Sequence, residues 1–227
     1  MQASEIINLL SPFITERRLD LMKNVLSQRS KYMTIVLEDI FQPHNASAVL
    51  RTADCLGLQD IYIIENRNKY KVNPDVALGS ANWLNLNKIN SFENNSIETV
   101  KILKQKGYRI VATTPHKEDK NLEDFNIENG PFALVFGNEK DGISPSIIEL
   151  ADEFLKIPMY GFTESFNISV CAGICMHHLS LKLRNSELNY CLTQEEQNNV
   201  LASWLTYSIN NADKILAEYE NRKQEKP

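Results

Sequence analysis

The stretch Tyr32-Met-Thr-Ile-Val-Leu-Glu38, its connection Asp39-Ile-Phe-Gln-Pro-His-Asn45 and the return at Ile61-Tyr-Ile-Ile-Glu65 decide the fold. The first segment is β-branched and apolar, the composition of a buried strand. A helix is expected from Ala46 to Gly57, with Ala48, Val49, Ala53 and Leu56 turned inward and Gly57 at its end. Strand, helix and strand at this spacing require parallel pairing with right-handed crossovers.

Toward the C-terminus the alternation continues. Leu84–Ile89, Tyr108–Thr113, Pro131–Phe136 and Phe154–Ile157 read as strands, and Pro74–Trp83, Ser96–Lys106, Pro145–Ala151 and Val170–Leu183 as helices. The strand at Tyr108 ends in Thr113-Thr114-Pro115-His116, and the charged segment Lys117 to Gly130 reads as an exposed excursion. Thr193-Gln-Glu-Glu196 has the form of a capping box and starts one long amphipathic helix through Trp204, Ile209, Ile215 and Leu216 to Tyr219. Toward the N-terminus, residues 4–29 carry apolar positions at helical spacing, and Pro12 divides them into two helices. The second bears Arg17, Arg18, Lys23 and Arg29, either a solvated face or an RNA-contacting arm.

With 227 residues, 43% of them hydrophobic, the chain has ample apolar material for one large domain with terminal additions. It shows no long uncharged apolar run and no basic-then-apolar leader. Cys55, Cys171, Cys175 and Cys191 show no zinc-like or redox spacing, which fits a reducing cytoplasm, and no metal is expected. The formal net charge of -5 argues mildly against a nucleic-acid partner, but a local patch survives such a balance. The loop with Arg67, Lys69, Tyr70 and Lys71 is one candidate: it suits RNA, and equally a solvated loop.

Chemistry concentrates between Ile157 and Gly173. Pro158 cuts off a strand, Gly161 lets the chain turn, and Ser165 and Asn167 stand before a helical run of small and apolar residues. Both polar residues suit the free amides of a helix start. In an open α/β sheet, ligands bind at such strand ends.

Three blocks line up with this loop: Asn45-x-x-Ala48-x-x-Arg51-Thr52, then Phe136-Gly137-Asn138-Glu139-x-x-Gly142, then Ile157-Pro158-Met159 with Glu164-Ser165-Phe166-Asn167-Ile168-Ser169-Val170. In this order and spacing they resemble the motifs of the SpoU (TrmH) family of RNA ribose 2′-O-methyltransferases, of the SPOUT superfamily. Thr15-Glu-Arg-Arg18 and Leu37-Glu-Asp look like the branch that methylates tRNA guanosine. The resemblance implies a six-stranded parallel sheet with helices on both faces and a C-terminal trefoil knot, over residues 32–184. Helical extensions are then expected at 1–31 and 185–227. It further implies a homodimer that binds S-adenosylmethionine and methylates RNA, here the D-loop guanosine of tRNA.

By the same resemblance, Arg51 activates the 2′-hydroxyl. A guanidinium is a poor base, so its expected role is to clamp a phosphate and stabilise the emerging alkoxide. Asn45 holds that region, and read alone it is an N-cap for the helix at Ala46. Glu139 organises the knot and contacts Asn45 or Arg51; in isolation it is an exposed turn carboxylate. Ser165 and Asn167 complete the catalytic set, unless they serve as caps alone. Backbone at Thr113, Gly137, Ile157 and Phe166 is expected to hold the cofactor, and Arg17, Arg18, Arg51, Arg67 and Lys69 the RNA. Competing readings are the same chemistry on ribosomal RNA or another tRNA position, and an RNA-binding dimer without catalysis.

Overall fold

The computed structural model describes residues 1–71, 73–115 and 119–224. In chain order its elements are α1 (Ala3–Leu10), a 3-10 turn (Ser11–Phe13), α2 (Glu16–Leu26), β1 (Met33–Glu38), α3 (Pro43–Cys55), β2 (Asp60–Ile64), α4 (Pro74–Ala77), β3 (Asn85–Ile89), α5 (Asn95–Gln105), β4 (Arg109–Thr113), β5 (Lys120–Asn121), β6 (Phe132–Phe136), α6 (Pro145–Leu150), β7 (Glu153–Lys156), α7 (Ile168–Arg184), α8 (Gln194–Ser208) and α9 (Ala212–Gln224). These divide into two compact units, Ser30–Tyr190 and a helical unit of Met1–Arg29 with Cys191–Pro227.

The larger unit is built on one sheet in the order β3-β2-β1-β6-β4-β7-β5, every pairing parallel. Side chains alternate across a strand, so β1 serves two cores. Met33, Ile35 and Leu37 join Val49, Leu50 and Ala53 of α3 and Ala172, Met176 and Leu179 of α7 on one face. Val36 joins Val100 and Leu103 of α5 and Ile147 of α6 on the other. Helices on both faces are what an all-parallel sheet needs. Because all strands point the same way, the ends of β1, β6, β4 and β7 share one edge.

The sheet has seven strands where six were expected. The seventh, β5, pairs Lys120 with Leu155 and Asn121 with Lys156. It lies in the segment read as an exposed excursion, of which Lys117 and Glu118, like His116 before it, fall outside the described residues. Leu122, Phe125 and Ile127 are buried there, Phe125 edge-on to Phe132 with centroids 4.9 Å apart. Three apolar anchors among charges carry too little periodicity to be seen in sequence, yet they are enough to tie the segment to the core.

The helical unit departs from expectation twice. The capping box at Thr193 and Glu196 forms, with each backbone amide bonded to the other side chain. The helix it starts, however, ends at Ser208. Asn211 adopts φ +59°, a left-handed conformation that interrupts any helix, and α9 begins after it. Arg29 is also not on a solvated face. It is 2% exposed, with its guanidinium 5.3 Å from the Trp204 ring centroid, a cation–π contact that removes it from any RNA surface.

Candidate active site

The helix α3 starts earlier than its apolar pattern suggests. Pro43 takes the first helical position, where its fixed φ and missing amide cost nothing, and Gln42 is the N-cap. Asn45 is therefore inside the first turn instead of capping it, and is 2% exposed. Its amide group points across the strand ends. Nδ2 donates to Glu139 Oε1 at 2.8 Å, and Oδ1 accepts from Asn167 Nδ2 at 3.2 Å. Asn167 is the N-cap of α7, its Oδ1 accepting from the Ser169 amide at 2.9 Å and the Ser169 hydroxyl at 2.6 Å. One residue from each sequence block thus enters a single chain of hydrogen bonds.

Glu139 is the centre of that chain. Besides Asn45, it accepts from the backbone amides of Phe41 at 2.9 Å and Gln42 at 3.3 Å. Burial pushes its carboxyl pKa up, but the bonds from Asn45, Phe41 and Gln42 outweigh burial and hold it below the ordinary carboxylate range. The turn that presents it is a tight hairpin in which Asn138 and Gly142 exchange amide-to-carbonyl bonds of 2.9 Å. Gly142 has φ +73°, and a Cβ on Gly137 would lie 2.2 Å from the Gly142 carbonyl carbon. Glycine is obligatory at both ends of this hairpin, for different reasons.

Asp39 and Asn138, present in the sequence blocks but given no role there, brace the site. Asp39 follows β1 with φ +51°, which Asp tolerates better than most residues. Its Oδ1 collects the amides of Asn66, Arg67 and Asn68 at 2.7, 2.8 and 3.2 Å. Its carbonyl accepts from Asn138 Nδ2 at 2.6 Å. The end of β1, the basic loop and the hairpin are thereby tied together. A polar residue placed directly after a buried strand was the available signal.

A cleft of about 900 Å³ opens beside this network, lined by the ends of β4, β6 and β7, the hairpin and the start of α7. Thr113, Gly137, Ile157 and Phe166 all line it, as do Glu139, Ser165 and Asn167. Ser165 is exposed and does not cap α7; that role is Asn167's alone. Asp119, Glu139, Asp141 and Glu164 give the wall an acidic cast, with Lys140 the one Lys or Arg among the described lining residues. Arg51 is elsewhere: it is exposed on α3, outside the cleft lining and without an ion pair among the described residues.

Of the candidate RNA contacts, Arg17, Arg18 and Lys69 are exposed. Arg67 is exposed too but ion-paired with Asp141 at 3.1 Å. Tyr70 is no stacking platform: it is 5% exposed, its hydroxyl meets Ser47 at 3.2 Å, and Lys88 Nζ lies 5.5 Å from its ring centroid. Among the described residues no cluster of three or more His, Cys, Asp or Glu is arranged to hold a metal, and no helix is long and apolar enough to cross a membrane.

Comparison with known proteins identifies the family. The model of the SpoU rRNA methylase family matches residues 32–177. A tRNA (guanosine(18)-2′-O)-methyltransferase of Borreliella burgdorferi is 44% identical over 90% of this chain and 92% of its own. One of Aquifex aeolicus is 33% identical over 84% of this chain and 90% of its own. The crystal structure of an A. aeolicus TrmH/SpoU tRNA-modifying enzyme superposes with a TM-score of 0.75 at 32% identity, covering 85% of this chain and 97% of that one. With the three blocks meeting at one sheet edge, and a family match across the whole sheet unit up to the first turns of α7, this chain belongs to the SpoU methylase family.

Proposed function

We propose that this protein is an S-adenosylmethionine-dependent RNA 2′-O-methyltransferase acting on the ribose of guanosine 18 in tRNA, as the relatives named above do. The observation that carries the reading is the Glu139–Asn45–Asn167 chain at the lip of the cleft. It gathers residues up to 122 positions apart, and mere capping would not need it.

The cleft suits the cofactor. It lies within the volume range of small-molecule sites. Acidic side chains favour a cationic ligand, and Phe136, Ile157, Phe166 and the α7 face offer apolar wall for a purine. Bound there, the cofactor supplies an electrophilic methyl group. Backbone at Thr113, Gly137, Ile157 and Phe166 would hold it, with the Glu139 hairpin as one wall.

Asn45 and Glu139 fix the geometry of α3 relative to that wall. Arg51 clamps a phosphate beside the target ribose and stabilises the emerging alkoxide, while the hydroxyl proton leaves to a phosphate oxygen or water. Ser165 stands at the cleft mouth beside the hydroxyl. Arg51 does not line its own chain's cleft, which supports a homodimer whose sites are each completed by the other copy. Exposed apolar side chains support the same reading: Phe41, Tyr160, Phe162, Val170 and Ile174 are apolar surface that a second copy would cover. β7 inserts between β4 and β5, both earlier in the chain, an order in keeping with a trefoil-knotted C-terminal part. Arg17, Arg18 and Lys69 carry phosphate contacts, and residues 32–184 form the catalytic domain of a cytoplasmic enzyme.

The test is ribose-methylation mapping of cellular RNA with and without the gene, beside methyl incorporation by the purified protein. Loss of the D-loop mark is expected. Loss of a ribosomal mark would move the substrate, and cofactor binding without methyl transfer to any RNA would select an inactive RNA-binding dimer. Arg51→Lys is expected to lose turnover by roughly a hundredfold; near-full activity would overturn the guanidinium role.

A further inference from the structure

Two thiols stand on the cleft wall, and the proposed reaction uses neither. Cys171 and Cys175 are one turn apart on α7, so their side chains leave the same helix face. Both line the cleft, Cys171 partly exposed and Cys175 1% exposed. Neither is in a disulfide.

Their surroundings favour reactivity. Cys171 belongs to the first turn of α7, its amide bonded to the Asn167 carbonyl at 2.9 Å. The positive end of a helix stabilises a thiolate. The Cys175 thiol donates to Cys171, which lowers the pKa of Cys171; that same bond, then burial, pushes Cys175 up. Cys171, the more exposed of the two and the nearer to the helix start, is the nucleophile. No third His, Cys, Asp or Glu among the described residues joins them in a metal-holding group, so the pair offers two sulfurs and no more.

We infer that Cys171 and Cys175 form a dithiol site for trivalent arsenicals, and that filling it closes the cleft to the cofactor. The second half rests on the reading of the cleft given above. A trivalent arsenical takes two sulfurs while keeping its remaining substituent, and the cleft has room for that substituent. With an arsenoxide, the Cys171 thiolate attacks arsenic and Cys175 follows. Two S–H bonds are lost, two As–S bonds form, and the arsenoxide oxygen leaves as water with both thiol protons. No electrons are transferred.

The probe is phenylarsine oxide, used on the full chain carrying Cys55→Ser and Cys191→Ser, since both of those cysteines are exposed. The expected result is one adduct per chain by intact mass and loss of two titratable thiols. The adduct should survive excess glutathione and be released by a dithiol such as dimercaptopropanol. Cys171→Ser and Cys175→Ala should each abolish the glutathione-resistant adduct, with circular dichroism confirming that they fold. Saturating S-adenosylmethionine should slow its formation at least tenfold. An adduct that persists in either single-thiol variant, or never resists glutathione in the parent, overturns the dithiol site. If calorimetry detects cofactor binding but labelling is not slowed, the closure of the cleft is wrong. If the adduct forms but the cofactor never binds, the dithiol site stands and the cofactor reading fails.

Discussion

Gly137→Ala is the most direct challenge to the idea that the hairpin builds the cleft wall. A Cβ at this position would sit 2.2 Å from the Gly142 carbonyl carbon and 2.3 Å from both the Gly142 oxygen and the Ile143 nitrogen. All three are backbone atoms, so no side-chain rotation relieves the overlap. The hairpin must open, and the two bonds exchanged between Asn138 and Gly142 go with it. At about 1 kcal/mol each, their loss amounts to about 2 kcal/mol. For a protein of this size that lowers Tm by roughly 4 to 8 °C. Gly161→Ala is the comparator, because a Cβ there meets nothing within 4 Å and should change stability by less than about 0.5 kcal/mol. Calorimetric melting and titration with S-adenosylmethionine read both consequences. If Gly137→Ala melted within about 1 °C of Gly161→Ala and bound the cofactor equally well, the close approach would not matter and the reasoning would be refuted.

Other changes probe the same network. Asn45→Asp sets a second carboxylate against Glu139 at a buried position, and should cost about 3 kcal/mol near neutral pH but much less near pH 4, as urea unfolding at the two pH values would show. Glu139 titrates lower in the folded chain than its ordinary value of 4.5, so its contribution is present above that value and fades as pH falls through the depressed one. The Tm gap between the parent and Glu139→Gln should therefore be open at pH 7 and narrow toward pH 3; a gap that widened on acidification would contradict the bonding. Phe125→Ala should destabilise by about 3 to 5 kcal/mol, since the ring is fully buried against Phe132 and beneath Arg109. A loss under about 1 kcal/mol in denaturant titration would return this segment to the surface.

Signals that act within a few residues were legible in advance. A β-branched run produced β1 and an apolar one β6, Pro12 split the first two helices, and Thr193 with Glu196 made its capping box. The helix start at Pro43 was hidden because Asn45, two residues on, is itself a good cap by type. The seventh strand was hidden because its anchors are scattered among charges. The break at Asn211 depends on one left-handed residue, which composition does not announce.

The order of motifs along the chain was enough to determine the family and the parallel α/β plan, because hydrophobic period and turn chemistry are local properties. Only tertiary structure decided which polar atoms meet. The Glu139 carboxylate finds the amides of Phe41 and Gln42 from 98 and 97 positions away because β6 docks beside β1, a pairing set by sheet order. Strand adjacency also decided that Asn45 serves as a bridge, while Arg51 stayed outside the lining of its own chain's cleft.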